Sequence, residues 1–231
     1  MITQISANST KTIALHGSAT GESAGFIMGN NINQQYINYT STVAGSIANL
    51  EESVVIAAGA SGFVVKGVSS SDTQLYFISN TASITPVTTY LNSGSIIPVA
   101  GLEITSLDYL NNFYYAYTSG LILRSADGIN WEQVEGVTPV TSFISVNEVS
   151  SSVYAALDVH NNIYLGATPT SIINQTAASS DAITAVGGTL YTATYSNTSH
   201  TALGLTFSPS ATSLGPVTDQ LTLDFGVHWQ I

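Results

Sequence analysis

The sequence predicts an all-β protein, and three observations carry that expectation. Apolar stretches are short, rich in β-branched and aromatic residues and bounded by glycine or polar turns, as in Gly62-Phe63-Val64-Val65-Lys66 and Gln74-Leu75-Tyr76-Phe77-Ile78. No helical periodicity persists for long. The stretches also come in sets, so that a unit of a few strands recurs in diverged form along the 231 residues.

The first set runs from Ile2 through 12–17 and 25–29 to 35–39, and the second comprises 47–50, 54–59, 62–66 and 74–78. Residues 83–101 follow, where Pro86 and Pro98 interrupt two short apolar pieces; the stretch reads as an insertion or an extended outer strand. The third set has 104–107, 113–117, 121–124 and 131–134. A fourth has 143–146, 152–157, 162–166 and 171–173, and a fifth has 182–186, 189–194 and 202–207 before a Ser/Pro-rich stretch. The tail, 220–231, alternates like one more strand.

The best-matched sets begin at Ile104, Phe143 and Ile183, spaced 39 and 40 residues apart. That spacing suits a four-stranded propeller blade of roughly 40–45 residues. The expected architecture is one domain over 1–231, a β-propeller of five blades at about 1–42, 43–82, 102–138, 139–177 and 178–215. A closing strand over 219–231 is expected to complete a blade with the N-terminal segment and so remove exposed edges. Six blades, or a β-sandwich of similar strand count, are the rival architectures.

The chain is organised around residues 122–134, a strand, an Asp127-Gly128 turn and a second strand. The Asp side chain can bond the following backbone amides, and Gly tolerates positive φ. The segment Ser125-Ala126-Asp127-Gly128-Ile129-Asn130-Trp131 resembles the Asp-box hairpin of sialidase-like and related β-propellers. The resemblance implies that Ser125 and Asp127 bond the turn, that Gly128 shapes it and that Trp131 packs beneath it, a structural role away from any catalytic face. Sialidases hold the substrate carboxylate with three arginines. Arg124 is the one arginine in this chain, so the resemblance does not extend to that activity.

Composition excludes further classes. Charged residues make up 7% of the chain, far below the average of roughly 25%, and Lys11, Lys66 and Arg124 stand against 14 acids for a net charge of −11. Nucleic acids and anionic lipids are recognised by clustered cations, so neither is an expected partner. No cysteine is present, which removes disulfide and thiol chemistry. No apolar run approaches the roughly 18 residues of a membrane helix, and the start lacks a basic region followed by an apolar core, so export by the ordinary secretory route is not expected.

Catalytic patterns are likewise missing. No serine has the glycine flanks of a hydrolase elbow, no phosphate-cradling glycine loop occurs, and no cofactor is indicated. His16, His160, His200 and His228 lack metal-ligand spacing. Asp158 and His160 alternate onto one strand face, yet a turn-adjacent polar pair is the plainer reading. Glu51, Glu52, Asp108, Asp158 and Asp181 are the acids from which a glycosidase pair would have to come.

Tyr115, Tyr154 and Tyr191 hold matched places in successive second strands and read as packing residues. Tyr36, Tyr39, Tyr90 and Trp229 lie outside that column and are the candidates for a contact surface, against sugar or protein. A charge-poor, hydroxyl-rich, cysteine-free β protein without an export signal fits a virus particle, which assembles in the host cytoplasm and then acts outside. The expectation is a non-catalytic virion module of a tail, fibre or capsid, contacting other virion proteins or a host-surface glycan. A free lectin-type propeller is the alternative, and a glycosidase or lyase the third reading. Display on a particle would favour symmetric copies, although no heptad repeat enforces them.

Overall fold

The computed structural model describes residues 2–16, 25–30, 37–40, 55–69, 72–195, 200–206 and 219–222. Among them every regular element is a strand, and the chain divides into two compact units, Met1–Thr138 and Pro139–Ile231.

The first unit holds three sheets. β1 (Ile2–Ala7), β2 (Lys11–His16), β3 (Gly25–Asn30) and β4 (Ile37–Thr40) pair in chain order. β5 (Ile56–Gly59), β6 (Gly62–Ser69), β7 (Asp72–Ser79) and β8 (Ile84–Val87) do the same. Side chains alternate across a strand, so β6 buries Phe63 and Val65 on one face, with Ile13, Leu15, Phe26 and Met28 of the first sheet. Its other face buries Val64, together with Leu75, Phe77 and Val87, against the third sheet. Burial on both faces explains why these strands read as unbroken apolar runs rather than alternating ones.

The third sheet is six-stranded. β9 (Thr89–Asn92) and β10 (Ser95–Pro98) form a hairpin, and β11 (Ile104–Leu110), β12 (Phe113–Thr118), β13 (Ile122–Ser125) and β14 (Trp131–Gln133) form an antiparallel meander. The two are joined by a parallel pairing of β9 with β14, Tyr90 opposite Trp131 and Leu91 opposite Glu132. Two-residue loops with both φ positive close β9–β10 at Ser93-Gly94 and β11–β12 at Asn111-Asn112. Such turns match the right-handed twist of the strands they join.

The second unit holds two sheets. β15 (Phe143–Ser150), β16 (Val153–Asp158), β17 (Asn162–Gly166) and β18 (Ile172–Ser179) form one, and β19 (Ala182–Val186), β20 (Thr189–Tyr195), β21 (His200–Thr206) and β22 (Asp219–Thr222) the other. Val153, Ala155, Leu157, Ile163 and Leu165 of the first pack with Ile183 and Leu190 of the second.

The structure redistributes two segments relative to the sequence reading. Residues 84–87 are the outer strand of the second sheet, whose four strands therefore start at Ile56; the expected strand at 47–50 lies outside the described residues. The rest of the 83–101 stretch enlarges the third sheet. The tail reading is corrected for 219–222, which pair with β21 rather than with the N-terminal segment; 223–231 lie outside the described residues. An alternating pattern says which face a residue takes, and any open edge can satisfy it.

Candidate functional site

The turn between β13 and β14 is built by its own side chains. Ser125 Oγ donates to Asp127 Oδ1 at 3.0 Å and accepts the Gly128 amide at 2.9 Å. Asp127 Oδ1 also accepts the Ile129 and Asn130 amides, each at 2.8 Å, and Oδ2 accepts Asn130 Nδ2 at 2.7 Å. Trp131 Nε1 donates to the Gly128 carbonyl at 2.9 Å, and Ser125, Gly128 and Trp131 are buried. The geometry needs glycine at 128: φ is +80°, and a Cβ there would lie 2.5 Å from Phe77 Cδ2. Partial burial pushes the Asp127 carboxyl up, but the amides of Asn130 and Ile129 and the side chains of Asn130 and Ser125 outweigh it and hold the group below its ordinary range.

A second carboxylate organises the β16–β17 turn. Asp158 Oδ1 accepts the His160 amide at 2.9 Å and the Asn162 amide at 2.8 Å, while Oδ2 accepts Asn162 Nδ2 at 3.2 Å. Burial raises this carboxyl too, and the bonds from Asn162 and His160 more than offset that, so it is also held low. His160 is exposed and contributes its backbone amide to this arrangement. Among the described residues no group of three or more His, Asp and Glu could hold a metal ion.

The other acids are dispersed. Asp108 accepts Ser106 Oγ at 2.5 Å, Asp181 accepts Asn161 Nδ2 at 2.7 Å, and Glu51 and Glu52 lie outside the described residues. All three strong cations are tied to partners. Lys11 Nζ donates to Asn30 Oδ1, Lys66 Nζ to the Ile104 carbonyl at 2.6 Å, and Arg124 to Glu132 while lying 5.0 Å from the Phe113 ring centroid. Burial pulls the Lys66 ammonium below its ordinary value, with Glu103 opposing.

Of the contact-surface candidates, Tyr90 is corrected. It is 6% exposed and packs in the core between the second and third sheets, because its place opposite Trp131 turns it inward. Tyr39 pairs with Phe26 through the β4 backbone, and Tyr36 and Trp229 lie outside the described residues. Tyr115 and Tyr154 are buried as expected, but Tyr191 is 39% exposed, since β20 turns its neighbour Leu190 to the core instead. Two features escaped the sequence reading. One is a pocket of about 310 Å³ between the outer strands of the second sheet and Ala100. The other is the outward face of the 89–98 hairpin, where Leu91 and Ile96 are exposed; the Ile96-Ile97-Pro98 run was its only sequence signal.

Sheets built on four-stranded antiparallel meanders, one of them enlarged by a hairpin, define an all-β protein of the β-propeller class. No protein-family model matches the chain, and no curated protein does. Solved structures do. YCF48 bound to D1 peptide aligns at 13% identity and TM-score 0.56, over 96% of this chain and 66% of that one. The WD40 β-propeller domain of Doa1 aligns at 9% and 0.54, over 89% and 64%. The WD40 domain of Toxoplasma gondii coronin aligns at 9% and 0.54, over 96% and 59%. At these identities the likeness is one of fold, and the chain spans less than two thirds of the length of each.

Proposed function

We propose that the chain is a non-catalytic docking module of a virus particle, a tail, fibre or capsid component that acts outside the host after assembly in its cytoplasm. In this reading the 125–131 hairpin is an Asp-box of purely structural role. The observation that carries the proposal is the use made of the charged side chains: the Asp127 and Asp158 carboxylates accept backbone amides and are held ionised, and each cation is tied within the fold. Groups held this way stabilise turns and are poorly placed to move protons, since a general acid or base works best with a pKa near the operating pH. What these residues leave to act is the exposed surface, through its shape, its apolar side chains and its remaining acids. The similar fold of YCF48, solved bound to a peptide, supports protein contact as the mode of action.

The test is sedimentation of source-culture lysate through a density gradient. The proposal expects this protein to travel with particles in fixed ratio to the major capsid protein after salt washing. Recovery in the soluble fraction alone would overturn it, and a glycan screen of the free protein would then be the next measurement.

A further inference from the structure

We infer that the outward face of the 89–98 hairpin, centred on Leu91 and Ile96, docks a protein segment that carries aliphatic side chains flanked by lysine or arginine. The inference rests on the docking-module reading above and adds the place and the partner's chemistry.

The hairpin exceeds what its sheet needs. Among the described residues the other sheets have four strands, and β11 to β14 already supply four here. One face of the addition is spoken for, with Tyr90 in the core and Ile97 packed against it. The other is not. Leu91 and Ile96 sit directly opposite each other on β9 and β10 and are 49% and 70% exposed. By alternation from the turn theirs is a non-hydrogen-bonded pair, in which facing side chains approach closely and form one patch.

The patch is also rigid. The Ser93-Gly94 turn is fastened by Ser93 Oγ donating to Glu135 Oε1 at 3.0 Å, the root is closed by the Val99 amide on the Thr88 carbonyl at 2.9 Å, and β9 is pinned to β14. A surface already ordered loses little entropy on binding.

Charge selects the occupant. Glu132, which neighbours Leu91 across the parallel pairing, is matched by Arg124, so the local excess of negative charge comes from Glu135 at the turn, on a chain that as a whole carries −11. A second copy is the less fitting occupant, since it brings the same excess of acids and its three strong cations are already engaged. It would also meet a blunted edge, because Pro98 lacks an amide proton to continue the ladder on β10. A segment with a basic residue beside its aliphatic ones meets the opposite sign at Glu135, next to the apolar pair.

The experiment titrates the full chain against two short synthetic peptides, one alternating lysine with isoleucine and one alternating glutamate with isoleucine, followed by fluorescence anisotropy. The lysine peptide is expected to bind, more weakly as salt rises, and the glutamate peptide not to bind. The double variant Leu91→Ser/Ile96→Ser should weaken the lysine peptide by at least about tenfold, the scale of losing an interface anchor. Ile96→Lys, at the most exposed position, should do the same by charge and serves if the double variant folds poorly. No binding of the lysine peptide, equal binding of both peptides, or unchanged binding by the variants would each overturn the inference. Gradient sedimentation separates this from failure of the parent reading: particles that retain wild type and variant alike remove the surface assignment, whereas loss of wild type itself removes the docking module.

Discussion

The indole Nε1 of Trp131 donates to the carbonyl of Gly128 at 2.9 Å, so the residue that leaves the turn also closes it from beneath. The same glycine is seated against Phe77 and Val64 of the neighbouring sheet. One turn thus couples local hydrogen bonding to packing between two sheets, and the first prediction concerns its centre.

Gly128→Ala places a Cβ at positive φ and inside van der Waals distance of Phe77. The expected cost is about 2–4 kcal/mol, strain and overpacking together. Asp127→Ala removes the acceptor of four donors and should cost about 1–3 kcal/mol. Denaturant unfolding of each variant measures both. A Gly128→Ala protein with wild-type stability would show that the turn does not sit against Phe77.

Stability should fall on acidification. Asp127 and Asp158 have folded-state values below the usual carboxylate range. Their contribution is therefore complete above the unfolded value near pH 4 and is lost as pH drops through the lowered folded values. Melting temperature against pH should show this limb, and Asp158→Asn should flatten it. An unchanged limb in the variant would mean that the carboxylate charge is not what the amides hold.

Tyr114 reaches across to the second sheet, where its Oη donates to the Gly62 carbonyl at 2.9 Å within the core. Tyr114→Phe should cost about 1–2 kcal/mol, the expense of leaving a buried acceptor unpaired. Burial raises the phenol's pKa, so its stabilising effect is present below the unfolded value near pH 10 and is lost as pH rises past it. The phenylalanine variant should accordingly have a shallower alkaline limb in the same melting series.

Asn8 joins the first two sheets. Its Oδ1 accepts the amides of Thr10 and Lys11, while Nδ2 donates to the Gly59 carbonyl at 2.9 Å and to Asn80 Oδ1 at 2.8 Å. Asn8→Ala should cost about 1–2 kcal/mol and speed hydrogen exchange at the Thr10 and Lys11 amides. Unaltered exchange there would show that the turn holds without the side chain.

The two faces of the 89–98 hairpin should respond oppositely. Tyr90→Ala empties a core position and should cost about 3 kcal/mol, whereas Leu91→Ser with Ile96→Ser should change stability by about 0.5 kcal/mol or less. Thermal melts decide this. A large loss from the outward pair would mean that it packs within the fold and is not available to a partner.

Where strands lie was legible in the sequence, and so was the β-propeller class. Residues 104–134 and 143–173 fall into strands close to where alternation and turn residues put them, because both signals are local: the pleat repeats every two residues, and Asp127-Gly128 or Asn111-Asn112 carry their own turn chemistry. Packing of Tyr115 and Tyr154 was legible for the same reason. The tertiary structure alone decided which edge each strand joined. It gave 84–87 to the second sheet, joined β9 to β14 in parallel, and paired 219–222 with β21. By those pairings it turned Tyr90 inward and left Leu91 and Ile96 facing out. The physical reason is that alternation fixes the faces of a strand but carries no address for its neighbour. That address comes from which open edge and which apolar surface the chain brings within reach.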